Sequence, residues 1–168
     1  MILAEIPRKY LYLGFLAPLV IALDQSTKRA VIARFQLGES ISLIEGFFSL
    51  TYVRNTGAAF GLLADAHPEF RVPFFLILPF GALAFILGVL RKIDANDTKI
   101  AVALALVFGG AVGNLIDRAL YGYVVDFLDF HWKYQYHFPA FNIADSAICV
   151  GVVVLMWEIL FENVPSTS

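Results

Sequence analysis

Long apolar runs constrain this chain more than any other feature. Val72–Leu90 carries no charged residue, and Ile100–Ile116 is similar. About 20 apolar residues in helical form span the hydrocarbon core of a bilayer. A third run, Ile143–Phe161, carries Asp145 near its start. Tyr10–Leu23 is short unless its helix continues through Asp24, Gln25, Ser26, Thr27 and Lys28. Composition points the same way: 60% of residues are hydrophobic and 15% charged, against roughly 25% charged in soluble domains. The pattern predicts an all-α membrane protein with four transmembrane helices, about 10–28, 72–90, 99–117 and 143–161. These form a single domain over 1–168 with both termini on one side.

Arg8 and Lys9 before the first run resemble the basic start of a cleavable leader, but no small-x-small site follows Leu23, so the helix is read as retained. Raw counts of basic residues favour the opposite orientation, through Lys28, Arg29, Arg34, Arg54, Arg71, Arg118 and Lys133. The positive-inside rule weights short loops near helix ends, where Arg91 and Lys92 precede Ile100. With Arg8, Lys9 and Lys99, they place the termini in the cytoplasm. The two longer connections then share the outer side. Ser40–Val53 alternates Ile41, Leu43, Phe48, Leu50 and Tyr52 around a Glu45-Gly46 turn, which predicts a small extracytoplasmic sheet over about 40–60, between helices one and two, lying at the membrane surface. Tyr121–Pro139 is rich in Tyr, Trp, Phe and His, as expected at headgroup level, and the tail from Pro165 is expected to be disordered. The net charge of −2 and dispersed basic residues give no nucleic-acid footprint. Cys149 is the only cysteine, so neither an intramolecular disulfide nor a thiolate cluster can form.

Against this apolar background, Asp126 and Asp145 stand out, because an ionisable residue in membrane-spanning sequence is costly enough to imply a role. Two carboxylates close together suggest acid/base hydrolysis. Each has a plainer reading. Asn142 followed by Asp145 has capping-box form, and Asp126 could be a loop acid. Asp129 competes with it, being expected on the same strand face, although Val124, Val125 and Phe127 favour Asp126 as the drier group. Asp24 and Lys28, four apart, fit a structural ion pair, and Asp117 with Arg118 could form another. Ala101, Ala105, Gly109 and Gly113 form a small-residue ridge for close helix approach. Asn114 and Arg118 share a face at the outer end of that helix, and Asn142, Asp145, Ser146 and Cys149 share one on helix four. His131 and His137 belong with the interfacial aromatic belt, with metal or proton-transfer duty as the alternative.

Five ordered blocks carry a family resemblance: Asp24-Gln25-Ser26-Thr27-Lys28; Tyr52 through Phe60, reading YVRNTGAAF; Gly109 through Arg118, reading GGAVGNLIDR; Val124-Val125-Asp126-Phe127; and Phe138 through Ser146, reading FPAFNIADS. Along nearly its full length the chain resembles lipoprotein signal peptidase, or signal peptidase II. The resemblance implies a four-helix bacterial membrane aspartyl protease with a small extracytoplasmic sheet, in the cytoplasmic (inner) membrane. Its substrates would be diacylglyceryl-modified prolipoproteins, cut just before the lipidated cysteine. Asp126 and Asp145 fall on the catalytic dyad, while Asp24, Lys28, Asn55, Gly110, Asn114, Asp117, Arg118, Asn142 and Ala144 fall on positions that shape or line the site.

The chemistry uses one carboxylate to take a proton from water and the other to protonate the scissile carbonyl, so the pair shares one proton. A helix N-terminus complements negative charge, which makes Asp145 the preferred base and Asp126 the acid. Asn114, Arg118 and Asn142 would orient the dyad or the substrate backbone. No metal or organic cofactor is required, and the expected partners are the prolipoprotein and membrane lipid, with the protein a monomer. The alternative is a proton-coupled transporter or channel, but a relay should place polar residues through the membrane depth, and here they cluster at one end. A structural or assembly protein with satisfied polar pairs is the plainest alternative.

Overall fold

The computed structural model describes residues 6–57 and 67–162. The expected reach of the sheet to residue 60 and the tail from residue 165 lie outside the described residues. Four helices run in chain order: α1 (Arg8–Arg34), α2 (Pro68–Lys92), α3 (Thr98–Tyr121) and α4 (Ile143–Trp157), the last continued by a π-helical turn over 158–162. Four antiparallel strands, β1 (Ser40–Ile44), β2 (Phe48–Asn55), β3 (Val124–Trp132) and β4 (Tyr136–His137), form a sheet in that order.

Among the described residues, three helices are long and apolar enough to cross a membrane: Glu69–Lys92, Thr98–Tyr121 and Ile143–Phe161. The expected fourth, α1, is long enough at 27 residues but not apolar enough. Its charges explain why it still packs: Asp24 and Lys28 are 0% and 2% exposed and face α3, not lipid. The ends of α1 run past the predicted 10–28 in both directions.

α3 is the central post, packing against α1, α2 and α4. The small-residue ridge has the role expected of it: a Cβ on Gly109 would lie 3.0 Å from the Ala17 backbone, and one on Gly113 would lie 2.7 Å from Asp24 Oδ2. A second small face, Gly110, receives α4, where a Cβ would run into the Ala144 carbonyl oxygen. These absent methyls let polar groups of three helices meet. At the other end of the bundle, Lys9 Nζ donates to the carbonyls of Arg91 (3.1 Å) and Ile93 (2.8 Å), satisfying orphan acceptors at the end of α2.

The sheet is larger than the sequence reading allowed, because β3 and β4 come from the connection between α3 and α4. The Glu45-Gly46 turn joins β1 to β2 as expected, with Gly46 at φ 70°. β1 is exposed throughout, including Ile41 and Leu43, whereas Ser49, Thr51 and Tyr52 are buried. Among the described residues β1 is an edge strand, paired only with β2, and a register shift between Leu50 and Val53 breaks the two-residue alternation. The extension of α1 supports the sheet, with Val31 packing against Tyr52, Val125 and Phe127. Burying such a side chain contributes about 1.5–3 kcal/mol, enough to hold β3 against the helix bundle.

Candidate active site

Gly122 ends α3 in the left-handed conformation (φ 76°) and donates its N–H to the Arg118 carbonyl. Glycine adopts that conformation without the Cβ penalty. The chain turns there into β3, where Asp126 pairs with Val53 and Val124 with Asn55. Asp126 is 2% exposed. Its Oδ2 accepts from Asn55 Nδ2 at 3.1 Å and its Oδ1 from Asn142 Nδ2 at 2.7 Å. Asn55 is itself oriented, since its Oδ1 accepts the Gly57 N–H at 3.0 Å.

Asn142 caps α4 in the capping box that the sequence predicts. Its Oδ1 accepts the Asp145 N–H at 2.9 Å, and its own N–H donates to Asp145 Oδ2 at 3.2 Å. The structural and functional readings of Asp145 therefore coexist. The second carboxylate oxygen, Oδ1, accepts from Asn114 Nδ2 at 2.7 Å. Asn142 touches both aspartates, and the charge of Asp145 acts on Asp126.

Burial first, and the Asp145 charge second, push the Asp126 carboxyl up to about 7, against hydrogen bonds from Asn55 and Asn142 that favour its charged form. A carboxyl so placed carries a proton near neutrality and can donate it. Two carboxyls on one bridging amide, one of them protonated, can perform general acid/base chemistry on a polar bond brought between them.

Behind the dyad, Lys28 Nζ lies 2.9 Å from Asp24 Oδ2, 3.0 Å from Asp117 Oδ2 and 2.9 Å from Asn114 Oδ1. The expected Asp24–Lys28 pair is thus a buried triad, and Asp117 belongs to it instead of to Arg118. Asp24 Oδ1 also accepts the Ala144 N–H at 3.0 Å, and Asp117 Oδ2 the Val125 N–H at 3.0 Å. Each acid of the triad therefore anchors the backbone next to one member of the dyad. Arg118 donates to the Gly57 carbonyl at 3.1 Å and lies 5.2 Å from the Phe75 ring centroid, beside a cleft that Thr56 and Arg71 also line.

All eleven positions expected at the site, from Asp24 to Asp145, converge here. Gln25 was not among them. Its Nε2 donates to Asp117 Oδ1 at 2.8 Å and to the Gly113 carbonyl at 3.1 Å. Its position three residues before Lys28, on one helix face, was the available signal. Asp129 does not share the face of Asp126, since three residues separate them and strand side chains alternate. It pairs with His137 Nδ1 at 3.0 Å. His131 does not face outward: it is buried, hydrogen-bonded to Ser49 Oγ at 2.9 Å and stacked on Tyr134. Trp132, Tyr134 and Tyr136 are exposed, as an aromatic belt requires. Among the described residues no three His, Cys, Asp or Glu side chains are grouped to ligate a metal.

Residues 16–161 match the family model described as Signal peptidase (SPase) II. The chain is 52% identical over 141 residues to the lipoprotein signal peptidase of Syntrophotalea carbinolica, covering 84% of this chain and 86% of that protein. It is 50% identical over 143 residues to that of Geobacter sulfurreducens, covering 85% and 88%. A solved bacterial membrane enzyme superposes with a TM-score of 0.80 at 33% identity, over 95% of this chain and 96% of that one. With the matched model reaching from α1 through α4, the chain belongs to the signal peptidase II family.

Proposed function

We propose that Asp126 and Asp145 are the proteolytic dyad of this peptidase, and that it cuts diacylglyceryl-modified prolipoproteins just before the lipidated cysteine to release the signal peptide. The observation that carries this reading is Asn142, which donates through its side chain to Asp126 and through its backbone to Asp145. Asp145 accepts a proton from water, whose oxygen bonds to the scissile carbonyl carbon, while protonated Asp126 gives its proton to the carbonyl oxygen. The resulting diol collapses. Asp126 regains a proton from one hydroxyl, Asp145 gives its proton to the departing nitrogen, and the C–N bond breaks. Asn114 and Asn142 hold the carboxylates, and Arg118 is set to hold substrate backbone near Gly57.

The polar network occupies one end of the bundle. Lys9, Arg91, Lys92 and Lys99 gather at the other, where Lys9 bonds the end of α2 and Lys99 pairs with Glu158 at 3.2 Å. By the positive-inside rule that basic end is cytoplasmic, so the site faces outward from the bacterial inner membrane. α1 is the fourth crossing, its charges turned to α3. A site at that depth lets acyl chains remain in lipid while the peptide bond meets water, and the protein acts as a monomer. A transporter would need polar groups through the membrane depth, which α2 lacks between Val72 and Leu90.

The test is cleavage in detergent of a diacylglyceryl-modified prolipoprotein beside the same peptide without lipid. Each buried methylene contributes about 0.8 kcal/mol, so the lipidated substrate should be cut far faster. Equal rates would leave a general membrane aspartyl protease and remove the lipoprotein assignment.

A further inference from the structure

A pair of aspartates can catalyse hydrolysis only if one takes the proton from water, and a base keeps its place and orientation only if the donors aimed at it are fixed. Among the described residues, Asp145 Oδ1 has one side-chain donor, the Asn114 amide. That amide has two faces of opposite chemistry: an oxygen that accepts and a nitrogen that donates. Its orientation therefore decides whether Asp145 meets a donor or another oxygen.

Lys28 fixes that orientation. An ammonium has three hydrogens and no acceptor, and all three have partners here: Asp24 Oδ2, Asp117 Oδ2 and Asn114 Oδ1. The two carboxylates hold Lys28 in place, and the third N–H is aimed at Asn114. The Asn142 side chain adds a weaker donor to the same oxygen at 3.2 Å. Were the Asn114 amide reversed, its NH2 would face the Lys28 ammonium and the Asn142 NH2, donor against donor, and the third Lys28 N–H would lose its acceptor. Its oxygen would lie against the Asp145 carboxylate. Both ends oppose the reversed state, and burial prevents water from relieving it: Lys28 and Asn114 are 2% and 6% exposed.

We propose that Lys28 is a positioning residue for the reaction: through Asn114 it holds the side-chain donor aimed at the carboxylate of Asp145. The charged groups facing this chain of contacts are Asp24 from α1, Asp117 and Arg118 from α3, Asp126 from β3 and Asp145 from α4. The inference rests on the dyad reading above. Substitution of the aspartates tests that reading separately, so the two can fail independently.

The experiment is a mutant cycle in the Asp24→Asn background, where removing Lys28 as well leaves the buried network at its original net charge and the Ala144 N–H still meets a side-chain oxygen. Lys28→Met and Lys28→Gln are each combined with wild-type Asn114 and with Asn114→Ala. kcat, KM, the pH profile and thermal unfolding are measured in detergent. Methionine removes the donor, while glutamine restores an N–H without the charge. Lys28→Met should lower kcat about 10- to 100-fold with KM within about threefold, since positioning acts on the transition state. It should also move the pH profile of kcat. Adding Asn114→Ala should then cost less than about twofold more. Lys28→Gln should recover at least a third of the lost activity, and Asn114→Ala should again be costly in that variant. Independent, multiplying losses for Lys28→Met and Asn114→Ala would overturn the proposal. If Lys28→Met does not fold, Lys28→Gln decides alone: an Asn114→Ala step without cost in its presence would overturn it.

Discussion

Gly110→Ala should separate catalysis from folding. A Cβ at that position would meet the Ala144 carbonyl oxygen and lie 2.7 Å from Ile148 Cγ1. Carbon contacts settle near 3.5–4.0 Å, so the start of α4 must retreat by about 0.8–1.3 Å. Overpacking of this kind costs about 1–3 kcal/mol, while alanine regains about 0.8–1 kcal/mol of helix propensity over glycine. The net loss is about 0–2 kcal/mol, or up to about 8 °C in Tm for a chain this size. Activity should fall further, because α4 begins with Asn142 and Asp145, whose bonds to Asp126 and Asn114 are both 2.7 Å. A displacement near 1 Å can cost about 100-fold in rate. Gly151→Ala is the matched control. Its Cβ would sit 2.6 Å from the Ala103 carbonyl oxygen and from Val107 Cγ2, a similar insult about 9 Å along the helix from Asp145. Measured as kcat on a lipidated substrate beside Tm in detergent, Gly110→Ala should lose about 10- to 100-fold and Gly151→Ala less than about threefold. Equal kcat losses, or normal turnover by a destabilised Gly110→Ala, would refute the claim that α4 is placed for catalysis.

Stability should depend on pH through Asp126. Its carboxyl is raised from an ordinary 3.8 to about 7, so the folded state holds the proton more tightly than the unfolded chain. Its contribution is complete below about pH 4 and is lost as pH rises through about 7, by at most about 4 kcal/mol. Thermal unfolding from pH 5 to 8 should show this decline in the wild type and a flatter course in Asp126→Asn; identical slopes would contradict the assignment. Turnover should fall above about pH 7 as the shared proton leaves, although the pair titrates jointly. For orientation, in a Cys149→Ser background, a cysteine at Ala95, between α2 and α3, should react only with cytoplasmic reagent and one at Gln135 only with external reagent; reversed labelling would put the site on the wrong side. Arg118→Ala should slow turnover by about 10- to 1,000-fold, short of loss of either aspartate, since Arg118 transfers no proton; undiminished turnover would remove it from the site.

Local signals made much of the site legible. The apolar runs give α2, α3 and α4, the four-residue spacing of Ala101, Ala105, Gly109 and Gly113 gives the α1 contact, and Asn142 with Asp145 gives the cap. The readings that failed depended on which distant segment supplies a partner. Asp117 lies next to Arg118, yet Lys28 of another helix claims it. The sheet draws two strands from a second connection, Tyr121–Pro139, whose aromatic composition does not show which strand they pair with. Gln25 escaped notice because a neutral side chain beside Asp24 shows its use only when Gly113 and Asp117 arrive.

The central claim, that Asp126 and Asp145 together perform the hydrolysis, is tested most directly by turnover of purified Asp126→Asn and Asp145→Asn on a diacylglyceryl-modified prolipoprotein. Asp129→Asn serves as the control, its carboxylate lying on the other face of β3 beside His137. An amide keeps the shape of the carboxyl but cannot exchange the proton. Both dyad variants should insert in the membrane and show no cleavage, while Asp129→Asn keeps most of its activity. Near-normal turnover by either dyad variant would contradict the account.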